Sequence, residues 1–481
     1  MITKIMKKST KQALNRRQFL SGSMKGAASL SLKSLATGLP IGFILGGHMP
    51  AMAAEGDSKS LILGMSDDGQ PLNVYAPGSI SSDSTDPCFV IERADEAGLG
   101  VASLGNINGN DIFASDFFTP STISMGEQSV VAPNIWSNVS QTLLDRMQFF
   151  NLRTGANGHA EAQRVRNVNG TLYGADGRGS EQIQSAIMQE LALQNASLNS
   201  VLTTPLILSG EGGRLLTLSQ EGVPINRYTP LDIKSLFLDE AAAEIEQMNQ
   251  VYDETLDQVY NNIKQNGTAA QKKYLDTYLS SRVQASLLGD RLGDLLSDIN
   301  GETKNDQARA AVALVESNLS PVIVIRYEYG GDNHGDETSS IETSQTIEQI
   351  NNLESMWSLI QTMGLEDKVN YATYDIFGRT LGKNSRGGRD HHNQACVNMM
   401  FGSNIQPGVM GAVETWVNSG ARLLRASSIN STTGQSVDTD IDANDTLTAY
   451  ARTLMASVGV SEERIDLRFS SAKTVYGALK S

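Results

Sequence analysis

Short, almost uninterrupted apolar runs, each ending in polar residues, constrain the fold of this chain most strongly. Ser60–Met65 is followed by two aspartates, and Pro321–Tyr327 is followed by a glycine-rich polar segment. Val369–Phe377 and Ala395–Phe401 are two further candidate strands. Runs of this length without polar alternation are typical of strands buried on both faces of a parallel sheet. We therefore expect a sheet that is covered on both sides.

Helical patterns separate these candidate strands. Apolar residues at helical spacing cover Val312–Leu319, Ile347–Ile360 and Leu447–Met455. Alternating strands and helices predict an α/β fold with a mainly parallel sheet sandwiched by helices.

Residues 238–300 show a different pattern. Two long helical stripes on either side of Asn266-Gly267 predict an added helical hairpin, inserted at about 238–300. The hairpin is either plain scaffold or a surface on which a partner docks, and the sequence leaves both interpretations open.

The first 53 residues carry eight basic and no acidic side chains, an asymmetry typical of a targeting segment. Arg16-Arg17 stands shortly before Phe19-Leu20 and a weakly apolar run, and Ala51-Met-Ala53 is a small-x-small cleavage pattern. This arrangement is similar to a twin-arginine export signal; a basic surface helix is the alternative. The apolar run is too short and glycine-rich to cross a hydrocarbon layer of ~30 Å.

We therefore expect 1–53 to be a twin-arginine signal peptide and 54–481 to be the mature α/β domain. The protein would be exported folded by the twin-arginine machinery, would be periplasmic or secreted, and would keep no stable membrane span after cleavage.

Charge and cysteine content exclude several classes of protein. The formal net charge of −15 argues against nucleic acid as a partner, because phosphate binding draws on clustered Lys and Arg. The acidic balance favours cation binding. Two cysteines, Cys88 and Cys396, exclude a disulfide-dense scaffold and a four-cysteine zinc site. Whether they form one disulfide or two separate buried thiols stays open.

Side chains suited to metal binding follow three of the predicted strands. The candidate metal ligands are Asp67, Asp68, Asp332, His334, Asp390, His391 and His392. Ligands gather at the carboxyl ends of strands in open α/β sheets, and carboxylates combined with imidazoles suit zinc, manganese or iron. Each group also has a plainer interpretation, an Asx-turn at Asp67-Asp68 and a solvated loop at the others.

Three other residues are candidates for binding a substrate. Arg379 and Arg389 are placed to hold an anion, bidentately where the geometry allows. His159 follows a glycine-framed loop and is either a site residue near a helix start or an ordinary surface residue.

Several familiar site motifs are absent from the sequence. It contains no G-x-S-x-G elbow, no P-loop and no H-E-x-x-H. The acidic series Asp438–Asn444 lacks the Gly and Glu of a calcium-binding EF-hand loop, since Ala443 and Ala449 occupy those places. We interpret that series as an acidic loop with a helix cap.

Taken together, these segments resemble an exported bacterial family catalogued as domain of unknown function 1501, which is similar to a distant branch of the alkaline phosphatase and sulfatase superfamily. Gly330–Gly335 (G-G-D-N-H-G) resembles the family's G-W-D-T-H-G segment. Phe377–Thr380 matches its F-G-R-T, and Gly387–His391 resembles the start of its G-G-T-D-H-G.

The resemblance implies an alkaline-phosphatase-like sheet and a divalent-metal cradle for zinc, manganese or calcium. It implies that the cradle uses Asp67 or Asp68 together with Asp332, His334, Asp390 and His391. The implied activity is hydrolysis of a phosphate or sulfate ester on an anionic small molecule or polymer.

One departure from the family pattern bears on that activity. Gly158 stands where the family has a Ser before the histidine matched to His159, and glycine offers no nucleophile. Two functions therefore stay open, a metal-dependent hydrolase and a non-catalytic metal-binding or assembly protein on the same scaffold.

Overall fold

A computed structural model describes most of the sheet domain. The described residues are 59–66, 75–78, 100–167, 181–194, 204–210, 218–220, 223–225, 227–238, 292–317, 320–327, 332–380, 384–418, 421–469 and 471–480. The predicted signal peptide of 1–53, Asp67, Asp68, Cys88 and most of the predicted helical hairpin lie outside these residues, so those expectations stay predictions.

The strands of the described chain are short and are labelled in chain order. They are β1 (Ser60–Met65), β2 (Gly105–Ile107), β3 (Asn110–Ile112), β4 (Pro120–Met125), β5 (Gln128–Pro133), β6 (Met147–Leu152), β7 (Leu206–Leu208), β8 (Ser219–Gln220), β9 (Val223–Pro224), β10 (Arg227–Tyr228), β11 (Val322–Arg326), β12 (Val369–Thr373), β13 (Gly378–Arg379), β14 (His391–His392), β15 (Cys396–Phe401), β16 (Gly408–Met410), β17 (Val413–Asn418) and β18 (Ala421–Ala426).

The α-helices are labelled in the same way. They are α1 (Ala114–Phe118), α2 (Gln141–Leu144), α3 (Ala162–Arg166), α4 (Ile183–Gln194), α5 (Pro230–Leu238), α6 (Lys304–Glu316), α7 (Ser340–Thr362), α8 (Thr446–Ser457) and α9 (Glu462–Asp466). Short 3₁₀ helices cover Asn134–Asn138, His159–Glu161, Ala443–Asp445 and Tyr476–Ala478.

The main sheet runs through eight strands in the order β10-β7-β11-β1-β12-β15-β6-β16. Its pairs are parallel except where β15 pairs with β12 and with β6. The predicted α/β architecture with a mainly parallel sheet is confirmed. The predicted strand at Ala395–Phe401 is present as Cys396–Phe401 but runs antiparallel, and the one predicted over Val369–Phe377 ends at Thr373.

Burial explains why the apolar runs become central strands. Every residue from Leu61 to Met65 and from Val322 to Arg326 is buried, and the two runs pair in parallel from Leu61 with Val322 to Met65 with Arg326. A strand enclosed on both faces has no solvent side, so its sequence shows no polar alternation.

Helices pack on both faces of this sheet. On one face, Tyr450 of α8 donates its hydroxyl hydrogen to the Thr373 carbonyl at 2.7 Å and contacts the Phe150 ring, with centroids 5.2 Å apart. On the other face, Trp357 of α7 contacts Phe401, with ring centroids 5.8 Å apart. Aromatic side chains thus join each helical layer to the sheet.

Side chains at the start of two helices cap their N-termini. Thr303 precedes α6 and accepts a hydrogen bond from the Asp306 backbone at 3.2 Å, while the Asp306 carboxylate accepts from the Thr303 backbone at 3.1 Å. This reciprocal pair satisfies two amide groups that the helix itself leaves unbonded. In the acidic series, Asp442 caps the 3₁₀ helix Ala443–Asp445 by accepting from the Asn444 backbone, as the sequence indicates.

The described residues 231–238 and 292–300 belong to a unit distinct from the one that contains the sheet. In its described part, Lys234 of α5 donates to the carbonyls of Ser297 at 2.9 Å and Ile299 at 2.6 Å. Among the described helices of the whole chain, none combines the length and apolar character needed to cross a membrane.

Strand direction sets where functional groups can meet. β11, β1 and β12 run parallel, and β6 runs the same way because β15 is antiparallel to both β12 and β6. The carboxyl ends of these four strands therefore lie at one edge of the sheet, where ligands bind in folds of this kind.

Shortening a central core side chain tests this architecture. Ile323→Ala removes a fully buried side chain from β11 and should lower the free energy of unfolding by about 2–5 kcal/mol. Ile341→Ala, at a side chain that is 52% exposed on α7, is the matched control and should change it by less than about 0.5 kcal/mol. Urea unfolding followed by circular dichroism measures both, and equal effects would contradict the burial of β11.

Candidate functional site

The segment after β11 carries the first part of the site. Asp332 and His334 flank Asn333, which starts a turn in which the Asp336 backbone donates to the Asn333 carbonyl at 3.2 Å. Asn333 is buried, whereas Asp332 is exposed. Asn333 is therefore anchored in the protein, while Asp332 and His334 on either side of it lie at the sheet edge.

A two-stranded ribbon carries the second part. β13 and β14 pair antiparallel, with Arg379 opposite His391 and Gly378 opposite His392. Residues directly opposite one another share a face, and successive residues point to opposite faces. The register therefore places Arg379 and His391 on one face and the buried His392 on the other.

The loop after β6 carries the third part. Gly158 precedes the 3₁₀ helix that starts at His159, and the Glu161 carboxylate accepts from the Asn157 backbone at 2.5 Å. The Gly155 backbone also donates to the Asn393 carbonyl at 3.0 Å. The first bond is within the loop, and the second holds the loop against the residues that follow β14.

Four of the predicted residues converge. The His334 and His391 Nε2 atoms lie 2.9 Å apart. The Asp332 carboxylate lies 3.2 Å from His334 Nε2 and 3.6 Å from His159 Nε2. Ligand atoms of His159, Asp332 and His391 all lie within 4.8 Å of one another. We call Asp332, His334, His391 and His159 the Asp/His cluster.

The hydrogen bonds of the two central rings fix which nitrogen carries the hydrogen. His391 Nδ1 lies 2.9 Å from the Asn157 carbonyl, which can only accept, so Nδ1 is the donor. His334 Nδ1 lies 3.1 Å from an Asp390 carboxylate oxygen and is a donor for the same reason. In the neutral rings, both Nε2 atoms therefore point lone pairs at each other.

Asp390 orients a ring on the far side of the cluster. It accepts from His334 Nδ1 and, at 2.9 Å, from the Asn384 side chain, which also donates to the His334 carbonyl at 3.2 Å. A carboxylate bonded to the second nitrogen of an imidazole fixes the direction of the first. The geometry thus gives Asp390 an orienting contact, whereas its predicted direct metal bond stays a prediction.

Arg379 is the internal cation of the site. Its side chain is fully buried and donates to Asp332 at 3.3 Å and to His334 Nε2 at 3.4 Å. It also lies over the Phe377 ring at 5.4 Å. Its predicted role in holding a substrate stays a prediction, and the contacts seen here are with the cluster itself.

Charges within the cluster shift two pKa values. Burial tends to raise the pKa of Asp332, but Arg379 and then His334 and His159 outweigh it, so the pKa lies below its usual value. Burial lowers the pKa of His391, the hydrogen bond to Asn157 opposes this, and the charges of Arg379 and the other two histidines lower it further. At neutral pH the site therefore holds an ionised Asp332 and a neutral His391.

The aromatic ring of Phe377 borders the cluster on its buried side. The Phe377 ring lies 4.1 Å from the His391 ring and 5.2 Å from the His159 ring, centroid to centroid. His159 and His391 meet edge to face at 4.8 Å. Phe377 is fully buried, so one side of the cluster is apolar while Asp332 and Asp390 face solvent with side chains 42% and 54% exposed.

Two glycines let the loop before β14 approach the turn after β11. Gly387 has φ +86°, and a Cβ there would lie 2.4 Å from Glu337 Cγ. A Cβ on Gly388 would lie 2.1 Å from the Asn333 carbonyl oxygen and 2.3 Å from the His334 carbonyl carbon. The backbones of the two ligand-bearing segments are thus in direct contact, as the Arg389 N–H donating to the Asn333 carbonyl at 3.3 Å also indicates.

Arg389 has an internal partner. Its side chain is 2% exposed, and it donates through Nε to Glu342 at 3.0 Å and through Nη1 to the Thr380 carbonyl at 3.2 Å. The predicted contact of Arg389 with a substrate stays a prediction.

Residues that contribute without a sequence signal include Asn157, Asn384 and Glu342. Asn157 acts through a backbone carbonyl, which every residue has, so no side-chain pattern could have indicated it. Asp67 and Asp68, predicted for the same edge, lie outside the described residues.

Comparison with known proteins agrees with the sequence motifs. Residues 373–440 match a family model described as "Protein of unknown function (DUF1501)", which confirms the resemblance to this family over the stretch that holds Arg379, Asp390 and His391. No curated protein matches the chain.

Adding one methyl group at the backbone contact tests the site geometry. Gly388→Ala should lower the free energy of unfolding by about 1–3 kcal/mol, because its Cβ has no room against backbone atoms. Gly335→Ala, where no atom lies within 4 Å of the added Cβ, is the matched control and should change it by less than about 0.5 kcal/mol. Thermal unfolding of both variants checks this, and a Gly388→Ala variant as stable as wild type would contradict the contact.

Proposed function

We propose that this protein binds a divalent metal ion at the Asp/His cluster and uses it to hydrolyse a phosphate or sulfate ester. The observation that carries the proposal is the 2.9 Å separation of the His334 and His391 Nε2 atoms. Both rings use Nδ1 as the donor, so in the neutral rings two lone pairs face each other, and a metal ion or an added proton held between them would relieve the repulsion.

The surrounding groups favour a metal ion over a proton. Asp332 adds a carboxylate and His159 a third imidazole within reach of the same point, and a proton needs only two partners. Both central rings are oriented by carbonyl or carboxylate acceptors, an arrangement that is common for metal-binding histidines. The donor set thus fits a divalent ion.

The donor set also narrows the choice of metal. Calcium takes oxygen ligands almost exclusively, whereas this cluster offers up to three imidazole nitrogens and one carboxylate. We therefore propose zinc or manganese in place of the broader set that the family resemblance implies.

Residues of the chain would position the metal ligands and the ester. A bound divalent ion would neutralise the charge of an anionic ester and lower the pKa of the nucleophile that attacks it. Asp332 and Asp390 face solvent, so an ester would approach from that side, opposite the Phe377 ring. Arg379 holds Asp332 and His334 in place from within the protein.

The fold and the sequence support a place in the alkaline phosphatase and sulfatase superfamily. A mainly parallel sheet with helices on both faces and a cluster at its carboxyl edge is what that membership requires. The basic N-terminus with Arg16-Arg17 supports export by the twin-arginine machinery and a periplasmic or secreted location.

A second candidate function, metal binding without turnover, is favoured by one observation. Gly158 sits directly before His159 at the start of the 3₁₀ helix, where the family resemblance implies a serine nucleophile. Its backbone is extended (φ −166°), and an added Cβ would meet no atom within 4 Å, so a larger residue would fit. The chain has the space for a nucleophile at this position without having one.

Metal binding is the first test of the proposal. Mature wild-type protein should bind zinc or manganese with one ion per chain, and His391→Ala should weaken the affinity by at least about 10-fold. Isothermal titration calorimetry measures both. Asp111→Asn, an exposed substitution in the β2–β3 ribbon, is the control and should bind as wild type does; wild type that binds neither metal would refute the proposal.

Turnover separates the two candidate functions. The metal-loaded protein should hydrolyse 4-nitrophenyl phosphate or 4-nitrophenyl sulfate, and chelation with EDTA should abolish this. Metal binding without turnover would instead establish the non-catalytic alternative. Gly158→Ser then tests whether turnover is absent because this hydroxyl group is missing. A gain of burst-phase product release would identify position 158 as the nucleophile site.

A further inference from the structure

We propose that Glu342, at the start of α7, is a positioning residue that fixes the separation between the two metal-binding segments. This inference rests on the proposed function, because it concerns how the chain holds the Asp/His cluster together.

A single carboxylate oxygen joins both segments. Glu342 Oε2 accepts from Asn333 Nδ2 at 2.5 Å and from Arg389 Nε at 3.0 Å. Asn333 lies between Asp332 and His334, and Arg389 directly precedes Asp390 and His391. The two donors therefore belong to the two segments whose side chains meet in the cluster.

Further bonds around Glu342 restrict the same segments. The Glu342 backbone donates to the Asp336 carboxylate at 2.8 Å, which ties the first turn of α7 to the turn after β11. Arg389 reaches the Thr380 carbonyl at 3.2 Å, which ties it to the ribbon strand that carries Arg379. A rigid helix thus serves as the common anchor for the turn, the loop and the ribbon.

Burial keeps water away from the contact between Glu342 and Arg389. The side chains of Glu342 and Arg389 are 1% and 2% exposed, so water cannot replace either partner. Charge-assisted bonds in such surroundings are short and hold their geometry. Burial raises the pKa of Glu342 above its usual value, and the charge of Arg389 is the largest influence that opposes this rise.

The contact explains a feature of the cluster that its own members do not. His334 and His391 come within 2.9 Å although their lone pairs repel each other. The shared bonds to Glu342 act on Asn333, which directly precedes His334, and on Arg389, two residues before His391, and so hold the two histidines at this separation. The hydrogen bonds of the Glu342 carboxylate go to Asn333 and Arg389 and not to the four cluster residues. Glu342 therefore positions the cluster through these two residues.

Asn333→Ala is the decisive variant, because it removes one link and leaves the buried Glu342–Arg389 ion pair intact. We expect its affinity for cobalt(II) and zinc to fall about 10–100-fold and the visible absorption spectrum of bound cobalt(II) to change. Asn351→Ala is the matched control: it lies on the same helix and donates to the Asn106 carbonyl at 2.7 Å, away from the cluster. It should bind both metals as wild type does.

Glu342→Asp keeps the charge and withdraws the carboxylate by one methylene. Its affinity for cobalt(II) and zinc should therefore lie between those of wild type and Asn333→Ala. Affinity and cobalt spectrum are measured on the mature chain, with thermal unfolding of the metal-free form beside them. Unchanged affinity and spectrum in both variants would overturn the positioning role alone. Wild type that binds neither metal would overturn the proposed function and this inference together.

Discussion

The approach of the Gly388 backbone to the backbone of Asn333 and His334 is the constraint on which the site depends. Here two segments separated by 56 residues, counted from His334 to Asp390, come so close that a single Cβ would stand 2.1 Å from a carbonyl oxygen. Only glycine fits such a contact. The loop it begins then delivers His391 to His334, and the ribbon register delivers Arg379 beside them.

Around this contact the protein separates a solvent side from an internal side. Asp332 and Asp390 are largely exposed, whereas Arg379, Phe377, Glu342 and Arg389 are buried. The internal groups hold the rings and the carboxylate in place, and the exposed groups leave the cluster open on one side. A site that binds a ligand from solution needs this combination, because fixed donors lose little freedom when the ligand arrives.

Much of the fold could be predicted from apolar pattern. The runs at Ser60–Met65 and Pro321–Tyr327 indicate central parallel strands because burial on both faces removes polar alternation, and the structure confirms them as β1 and β11. The same rule places Asp332, His334 and His391 near one edge. The direction of β15 could not be predicted, since an apolar strand fits a buried sheet in either direction.

The finer parts of the site depend on register and on backbone atoms, which single residues do not encode. His391 and His392 are chemically identical neighbours, and only the pairing of β13 with β14 decides which one faces Arg379. The Asn157 carbonyl that orients His391 has no sequence signature. Glu342 lies on a helix that the apolar pattern indicates only from Ile347 onward, so its bond to Arg389 appears only in the folded chain.

Anomalous X-ray diffraction from crystals grown with zinc or manganese would show whether the Asp/His cluster binds a metal ion. We expect one strong anomalous peak per chain within bonding distance of the His334 and His391 Nε2 atoms and the Asp332 carboxylate. Data that show no peak there, with these side chains bonded only to one another and to Arg379, would contradict this expectation.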